Sequence, residues 1–405
     1  MKKIKQIEEI HRLLNLVSSK KTDTVECAAV NDSHVYTSDV VKEIENSLLF
    51  DKYPHLIGFS GDLKERGSFF RVSIRGLEVL AVRDSNMIFR AYINHCRHRG
   101  VILEQRETGV ANGFSCFFHK WTYSTDGELV QSPWRARNKS SVLDVGLLEL
   151  PCVEAAGLLW LYTDKNADIS KFNEHVDKEL IEEMQHFDFD KHTRIGSDIV
   201  SSESNWKLGY DTFGESHHFK YVHKTTLGAV THCDSSSFQK LGRSSRVFVP
   251  RIEIDNVSEK PEHEWNIAAV SFPVYRIFPN SIIVVGEDTS YLIRLEPVEN
   301  RVDAHAAYAT FYSKDGSVSD ADVERIYKMM DENPDLKYVE QKTIAQLFTT
   351  ILRDEDYAPL EDQQKSAKYF SGVGFIFEQN EPALHHFYSV YAKELGLNEP
   401  KILEK

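Results

Sequence analysis

The order of apolar and polar positions divides the chain into three textures. Over residues 1–50 apolar side chains recur at helical spacing, as in Ile4, Ile7, Ile10, Leu13 and Leu14, which predicts an amphipathic helical segment. From about Pro54 to Thr163 the pattern shortens. Phe69–Ile74, Glu78–Arg83, Met87–Ile93 and Gly157–Tyr162 are brief β-branched or aromatic runs separated by Gly, Asp or Asn, and predict a small all-β module. Residues 164–190 are polar and charged, as expected of a connection. From about Arg194, helical stretches (Asn205–His218, Ala321–Asn333, Leu360–Ser371, Ala383–Leu395) alternate with strand stretches (Ala268–Ile277, Ser281–Val285, Tyr291–Leu295, Asp303–Tyr312). That alternation predicts an α+β domain with an antiparallel sheet. Thr225–Glu264, rich in Ser, His and Lys, reads as loops around a pocket. The predicted organisation is a helical segment over 1–50 packing on the C-terminal domain, an all-β domain over 51–165 and an α+β domain over 166–405.

Composition narrows the function classes. A length of 405 residues favours two domains. The net charge of -14 is spread along the chain, which argues against nucleic acid as a partner, since that would need a basic stripe. Apolar runs such as Gly157–Tyr162 and Ser281–Gly286 are far below membrane-spanning length, so no membrane association is expected. The N-terminal segment is interrupted by Glu and His and reads as a helix, not a signal peptide. Five cysteines are too few for a disulfide framework. A cytoplasmic protein is expected.

The chemistry concentrates in three places. In residues 94–127, Cys96-x-His98 is separated by seventeen residues from Cys116-x-x-His119. Two mixed Cys–His pairs in short loops can enclose a [2Fe-2S] cluster, each pair giving one thiolate and one imidazole. Cys2His2 also binds zinc, but zinc fingers usually place cysteines together and histidines together. Gly100 and Gly113 give backbone freedom nearby, and Trp121 and Tyr123 can shield the cluster. Cys27, Cys152 and Cys233 stand apart and read as ordinary thiols.

Residues 205–223 carry Asp211-x3-Glu215-x2-His218-x4-His223. In a continuous helix Asp211, Glu215 and His218 would share a face, and His223 would join them only if the helix ended or bent near Phe219–Lys220. Two histidines and one carboxylate make a facial triad for non-haem iron, although a solvated histidine face is the bland alternative. Residues 353–364 offer acids for the third ligand, among them Asp354, Asp356 and Asp362.

These motifs resemble the catalytic alpha subunits of Rieske-type ring-hydroxylating oxygenases. The cluster segment is similar to C-x-H-R-G … C-x-x-H-x-W-x-Y, with Lys120 where the family commonly has Gly. The second segment is similar to N-W-K-x3-(E/N)-x3-D-x2-H-x4-H, and Glu355-Asp356-x4-Glu361-x2-Gln364 to E-D-x4-E-x2-Q. The likeness runs from about residue 50 to the C-terminus. It implies a Rieske domain followed by a helix-grip (START-like) catalytic domain. It implies cluster ligation by Cys96, His98, Cys116 and His119, and ferrous iron held by His218, His223 and Asp356. Asn205, Asp211 and Glu215 become the catalytic candidates, and His217 a residue behind the ligands. Glu215 replaces the usual Asp, which is understood to bridge to a cluster histidine of a neighbouring subunit. A Glu also occurs in the branch acting on quaternary amines.

The resemblance further implies electrons from NAD(P)H through a separate reductase, with or without a ferredoxin, because G-x-G-x-x-G is missing here. It implies a head-to-tail homotrimer, with or without a small beta subunit. The expected activity is mono- or dioxygenation of a small, preferentially aromatic substrate. Attack on a quaternary amine is the alternative, and a Rieske electron carrier or zinc-stabilised binding protein is the reading from another class. Tyr210, Phe213, Phe219, Tyr221, Phe272, Tyr275 and Phe278 are candidate pocket aromatics. They suit a planar ring or a cationic amine. Arg243 and Arg246 are candidates for a substrate anion.

Overall fold

The computed structural model describes residues 1–141, 144–314, 316 and 344–403, and among them the chain forms two compact units. One comprises Phe50–Val176 and Phe187–His192; the other comprises Met1–Leu49, Asp177–His186 and Thr193–Lys405. Residues 166–176 and 187–192, expected with the C-terminal domain, therefore cluster with the β unit instead. The expected helix Ala321–Asn333 lies outside the described residues.

The β unit is built on period-two alternation. Its five-stranded sheet has the order Glu149–Leu150, Phe89–Ile93, Leu77–Arg83, Ser68–Ile74, Thr108–Val110. The central strand Leu77–Arg83 is buried on both faces: Val79 and Ala81 enter one core with Phe70 and Ile74, while Leu80 and Val82 enter another. That second core also holds Cys96, Cys116, Phe114 and Tyr123, so apolar packing fixes both cysteine loops. A three-stranded sheet, Gly113–Ser115, Thr122–Ser124 and Leu129–Gln131, carries the second loop.

The other unit carries a seven-stranded antiparallel sheet in the order Thr193–Ser202, His305–Ser313, Thr289–Pro297, Ser281–Val285, Ser271–Ile277, Ser244–Pro250, Ser237–Leu241. The C-terminal helix Pro382–Leu395 sets Ala383 against Val247 and Val249 of this sheet. Two of the strands, Ser237–Leu241 and Ser244–Pro250, occupy the stretch expected to be loops. Their serines turn out to be buried, a placement that polarity alone does not reveal. The expected strand Ala268–Ile277 begins as the helical turn Ile267–Val270, because Asn266 caps it by accepting from the Ala268 amide at 3.1 Å.

The expected helix Asn205–His218 is much shorter. It runs only over Trp206–Asp211, capped by Asn205, whose side chain accepts from the Lys207 amide at 3.1 Å. A 3-10 turn, Thr212–Gly214, then leads to an extended Glu215. Behind the helix lies a buried ion pair, Lys207 with Glu45. Glu45 also accepts from the Trp206 indole at 3.1 Å and the Tyr391 hydroxyl at 2.5 Å. Burial pulls the Lys207 ammonium below its usual range, and the Glu45 carboxylate opposes that pull.

Removing one member of such a pair strands a charge in the interior. Glu45→Ala is expected to destabilise this unit by about 3–5 kcal/mol in urea or thermal denaturation. Glu45→Leu combined with Lys207→Met should recover part of the loss.

Candidate metal centres

The two cysteine loops are built alike. In the first, the Cys96 amide donates to the Val101 carbonyl and the Gly100 amide to the Cys96 carbonyl, both at 2.8 Å. In the second, the Cys116 amide donates to the Trp121 carbonyl at 2.8 Å and the Lys120 amide to the Cys116 carbonyl at 2.9 Å. Each loop buries its cysteine and leaves its histidine exposed. The His98 and His119 rings lie 4.7 Å apart, nearly perpendicular, and Trp121 stacks on His98 at 4.7 Å. The Tyr123 hydroxyl lies 3.5 Å from Cys96 Sγ and accepts from the Arg97 amide at 3.1 Å.

This donor set fits a Rieske cluster. Burial raises the Cys96 thiol above its ordinary range, the adjoining Cys116 adds to the rise, and Tyr123 partly offsets it. A pair of buried cysteines, to ionise, thus calls for a cationic centre beside it. Burial and the charges of His119 and Arg99 lower His98, favouring the neutral imidazole that a metal needs.

The second centre forms where the shortened helix ends. One ring nitrogen each of His218 and His223 and a carboxylate oxygen of Asp356 lie within 4.8 Å of one another. Asp356 Oδ1 is 3.0 Å from His223 Nε2 and 3.5 Å from His218 Nε2. The opposite nitrogens are also held. Glu215 pairs with His218 Nδ1, and Glu355 Oε2 lies 2.5 Å from His223 Nδ1. Thr226 Oγ1 donates to the same Glu355 oxygen at 2.8 Å. Carboxylates behind metal-binding imidazoles fix ring orientation and leave Nε2 free for a metal. The donor set of two imidazoles and one carboxylate suits ferrous iron with open positions.

The reach of His223 has a local cause. After Ser216 the chain turns through a 3-10 segment, His217–Lys220, and the His223 amide donates to the Phe219 carbonyl at 3.1 Å. Across the site, helix Ile344–Ile351 widens into a π-helical turn, Leu352–Asp356, before continuing as Tyr357–Ala367. Through that turn, neighbouring residues Glu355 and Asp356 reach opposite nitrogens of the His223 ring. π-helical turns of this kind frequently mark functional sites.

The remaining candidates lie elsewhere. Asp354 pairs with Arg353 at 2.7 Å, and Asp362 with Lys365 at 3.0 Å. His217 Nδ1 lies 3.3 Å from Asp234. Asp211 is not on a helical face with Glu215 and His218. It sits in a buried network, accepting from Tyr388 at 2.8 Å and Tyr36 at 3.3 Å, with Arg276 at 3.7 Å. Burial pushes its carboxyl up to about 7 against the pull of Arg276 and both hydroxyls. Asn205 caps the helix, and its amide accepts no metal-facing role: Nδ2 donates to the Val302 carbonyl at 2.7 Å. Gln364 accepts from the Asn205 backbone amide at 2.9 Å, tying the late acidic helix to this segment. Glu355 is the functional side chain that sequence reasoning left without a role. Its only signal was its place beside Asp356, since its partner His223 lies 132 residues away.

A cavity opens directly beside the triad, with an empty volume of about 560 Å³ that includes open solvent. Its walls are Val247, Val249, Val274, Leu227, Phe213, Phe219, Phe348, Ile351 and Leu352, with Thr212 as the neutral polar group. Among the described residues the lining holds no Lys or Arg, and its acids are Glu215 and Asp356. Of the aromatic candidates, Phe213 and Phe219 line the cavity. Tyr210, Tyr275 and Phe278 are buried elsewhere, Tyr221 is exposed, and Phe272 stacks under Arg251 at 4.9 Å. Arg243 is bound to Asp177 and Arg246 to Glu183, both away from the cavity.

Comparison with known proteins matches the catalytic-domain model for the ring hydroxylating alpha subunit to residues 189–396, and the Rieske [2Fe-2S] domain model to residues 54–152. Chloroplastic choline monooxygenase of Amaranthus tricolor is 29% identical over 251 residues, which covers 60% of this chain and 54% of that protein. Biphenyl 2,3-dioxygenase subunit alpha of Rhodococcus jostii (strain RHA1) is 32% identical over 103 residues, covering 25% and 22%. The chain thus spans about half or less of the length of these curated relatives. Among solved structures, the quaternary ammonium Rieske monooxygenase CntA in complex with L-carnitine superposes with a TM-score of 0.66 at 17% identity, over 90% of this chain and 96% of that one. Naphthalene 1,2-dioxygenase from Rhodococcus sp. bound to indole gives 0.65 at 18% identity, over 90% and 94%. The last two likenesses concern the fold.

The geometry makes three expectations measurable. Asp356→Ala should lower iron from about three atoms per chain to about two while the cluster absorption and reduced-state magnetic signal persist. Glu355→Gln should weaken mononuclear iron binding by roughly 10- to 100-fold in a chelator competition. Without metal, burial disfavours a charged His218, but Asp356 and Glu215 outweigh it and lift the imidazole to about 10; His223 is likewise raised. A proton must therefore leave as iron enters, so iron uptake should release protons and weaken as pH falls. Iron titration in a pH-stat checks this, and uptake without proton release would contradict it.

Proposed function

Because the chain belongs to the family of ring-hydroxylating alpha subunits, with a Rieske [2Fe-2S] domain ahead of a mononuclear-iron catalytic domain, we propose that it is a terminal oxygenase for a small, neutral, aromatic substrate. The observation that carries the substrate class is the cavity wall: away from the triad it is apolar but for Thr212, it has among the described residues no Lys or Arg to meet a carboxylate or sulfonate, and both its acids turn to histidines. Excluding water from such a wall favours an uncharged ring.

Cys96, His98, Cys116 and His119 would hold the cluster and His218, His223 and Asp356 a ferrous iron, groups that supply one-electron transfer and dioxygen chemistry when bound. The protein's own residues do the positioning. Glu215 and Glu355 hold the Nδ1 sides of His218 and His223, so both Nε2 atoms face the cavity. Phe213, Phe219 and Phe348 orient a flat substrate beside the open metal positions, and the valines of the sheet keep water from it. Glu215 is also the carboxylate through which an electron would pass between a neighbouring subunit's cluster and His218. The electron source is an NAD(P)H-dependent reductase, with or without a ferredoxin, and the assembly is a head-to-tail homotrimer. The same reading includes a cytoplasmic setting; none of the five cysteines is paired in a disulfide. No helix among the described residues is long and apolar enough to cross a membrane.

A second reading, attack on a quaternary amine, draws on Glu215 in place of the family's usual Asp and on three phenylalanines that could face a cation. An oxygen-uptake screen with a surrogate reductase separates the two. Uptake should be fastest with uncharged aromatic compounds and coupled to hydroxylated product. Uptake with betaines alone would replace the substrate proposal by the amine reading. Reducible protein that consumes no oxygen with any substrate would leave an electron carrier.

A further inference from the structure

Behind the cavity wall lies a group of oxidisable side chains that the two metal centres do not use. Tyr36, Trp206, Tyr388 and Tyr391 are each 1% exposed, and every one donates to a carboxylate. Tyr388 and Tyr36 donate to Asp211 at 2.8 Å and 3.3 Å. Tyr391 and the Trp206 indole donate to Glu45 at 2.5 Å and 3.1 Å. The rings of Tyr36 and Tyr388 lie 6.0 Å apart, and those of Tyr388 and Tyr391 5.9 Å apart. Packing alone is met by phenylalanine, as at Phe387, whose ring lies 5.0 Å from that of Tyr388. The group backs onto the segment that carries Glu215. Asp211 directly precedes Thr212 of the cavity wall, and a Cβ on Gly214 would lie 3.0 Å from the Arg276 guanidinium, which faces Asp211.

A phenol gives up an electron readily only when its proton can leave at the same time, because the oxidised ring is a strong acid. A hydrogen-bonded carboxylate takes that proton if its neutralisation strands no other charge. The two carboxylates differ in this respect. Glu45 is paired with the buried Lys207 ammonium, so a proton on Glu45 would leave a buried cation without its partner. Asp211 is less committed. Its Oδ1 accepts no hydrogen bond among the described residues. Arg276, 3.7 Å away, donates instead to the Ala383 and Tyr210 carbonyls at 2.8 Å and 3.3 Å. Burial lifts the Asp211 carboxyl to about 7, so it gains a proton easily near neutral pH. Tyr388 has the shorter bond to this acceptor and is the first donor, with Tyr36 second.

We propose that Tyr388 and Asp211 form an internal reductant for the catalytic unit, which quenches the dioxygen-derived oxidant left beside the triad when no substrate consumes it. The inference rests on the oxygenase reading of the preceding section. In the step, Tyr388 passes one electron to that oxidant and its hydroxyl proton to Asp211. The oxidant is reduced by one electron, and the pair is left as a neutral phenoxyl radical beside a neutral carboxyl. One electron from the reductant that supplies the cluster, with the proton returned from Asp211, restores the phenol. Without the pair, the same oxidant attacks the rings of the wall, Phe213 and Phe219.

The test uses the full chain with both centres loaded and reduced, mixed with oxygen-saturated buffer without substrate and frozen at intervals. Electron paramagnetic resonance should show a neutral phenoxyl radical, identified by the change in its splitting when ring-deuterated tyrosine is incorporated. Tyr388→Phe should lose most of the signal. So should Asp211→Asn, which keeps a hydrogen-bond acceptor but cannot take the proton. Tyr391→Phe should retain it. In the two silent variants, mass spectrometry should find more hydroxylated Phe213 and Phe219 than in the wild type, at equal iron content and with the cluster spectrum unchanged. A wild type without the radical overturns the proposal, as does a radical that survives in both Tyr388→Phe and Asp211→Asn. Oxygen uptake with hydroxylated product would still uphold the oxygenase reading in either case. A chain that consumes no oxygen under any condition overturns both.

Discussion

Two imidazoles with carboxylates at both of their ring nitrogens set the terms for the catalytic unit. His218 lies between Glu215 and Asp356, and His223 between Glu355 and Asp356. Three acids and two histidines gathered in a largely buried place are stable only with cationic charge among them. Protons can supply it, as the raised imidazoles show, and a divalent metal supplies it with directed bonds. Much of the local backbone follows from this demand. The helix at Trp206–Asp211 stops early so that Glu215 and His218 can turn inward, and the π-helical turn at Leu352–Asp356 brings two adjacent acids to one ring.

Such a site needs a rigid frame, and the frame is ionic as well as apolar. Lys207 and Glu45 lock the first turn of the short helix, while Asp211 is held at its end by Tyr36, Tyr388 and Arg276. Both networks draw on the C-terminal helix, through Tyr391 and Tyr388. Asn205 and Gln364, from the motif segments, are spent on backbone hydrogen bonds that tie the segment before the triad to the late acidic helix. Their position beside the ligands in sequence does not put them at the metal.

Much of the cavity wall is a property of the sheet. Val247, Val249 and Val274 face the cavity from two adjacent strands, with Phe348 and Ile351 opposite from the helix that carries Asp356. The same helix thus carries Asp356 and part of the wall, so changes in pocket shape and in the geometry of the three donor side chains are mechanically linked.

How much was legible in the sequence follows from how local each feature is. Cys96, His98, Cys116 and His119 lie in two short loops, so spacing alone grouped them as a candidate donor set, and the strand expected over Glu78–Arg83 forms as Leu77–Arg83, buried on both faces. Ser281–Val285 could be read to the residue for the same reason. Periodicity reports burial but not the partner across the fold. It could not tell Asp356 from Asp362, assign Glu355 to a histidine 132 residues away, or see that serine-rich 237–250 is two buried strands. Nor did periodicity place the end of the helix at Asp211, although Gly214, three residues on, is a stop signal in the sequence. That end is decided by the pull of Glu215 and His218 toward groups distant in sequence. The sequence by itself determined the donor types and their neighbourhoods. Only the tertiary structure decided which acid meets which imidazole, and that the space beside them is apolar, because both depend on contacts between segments that chain order does not relate.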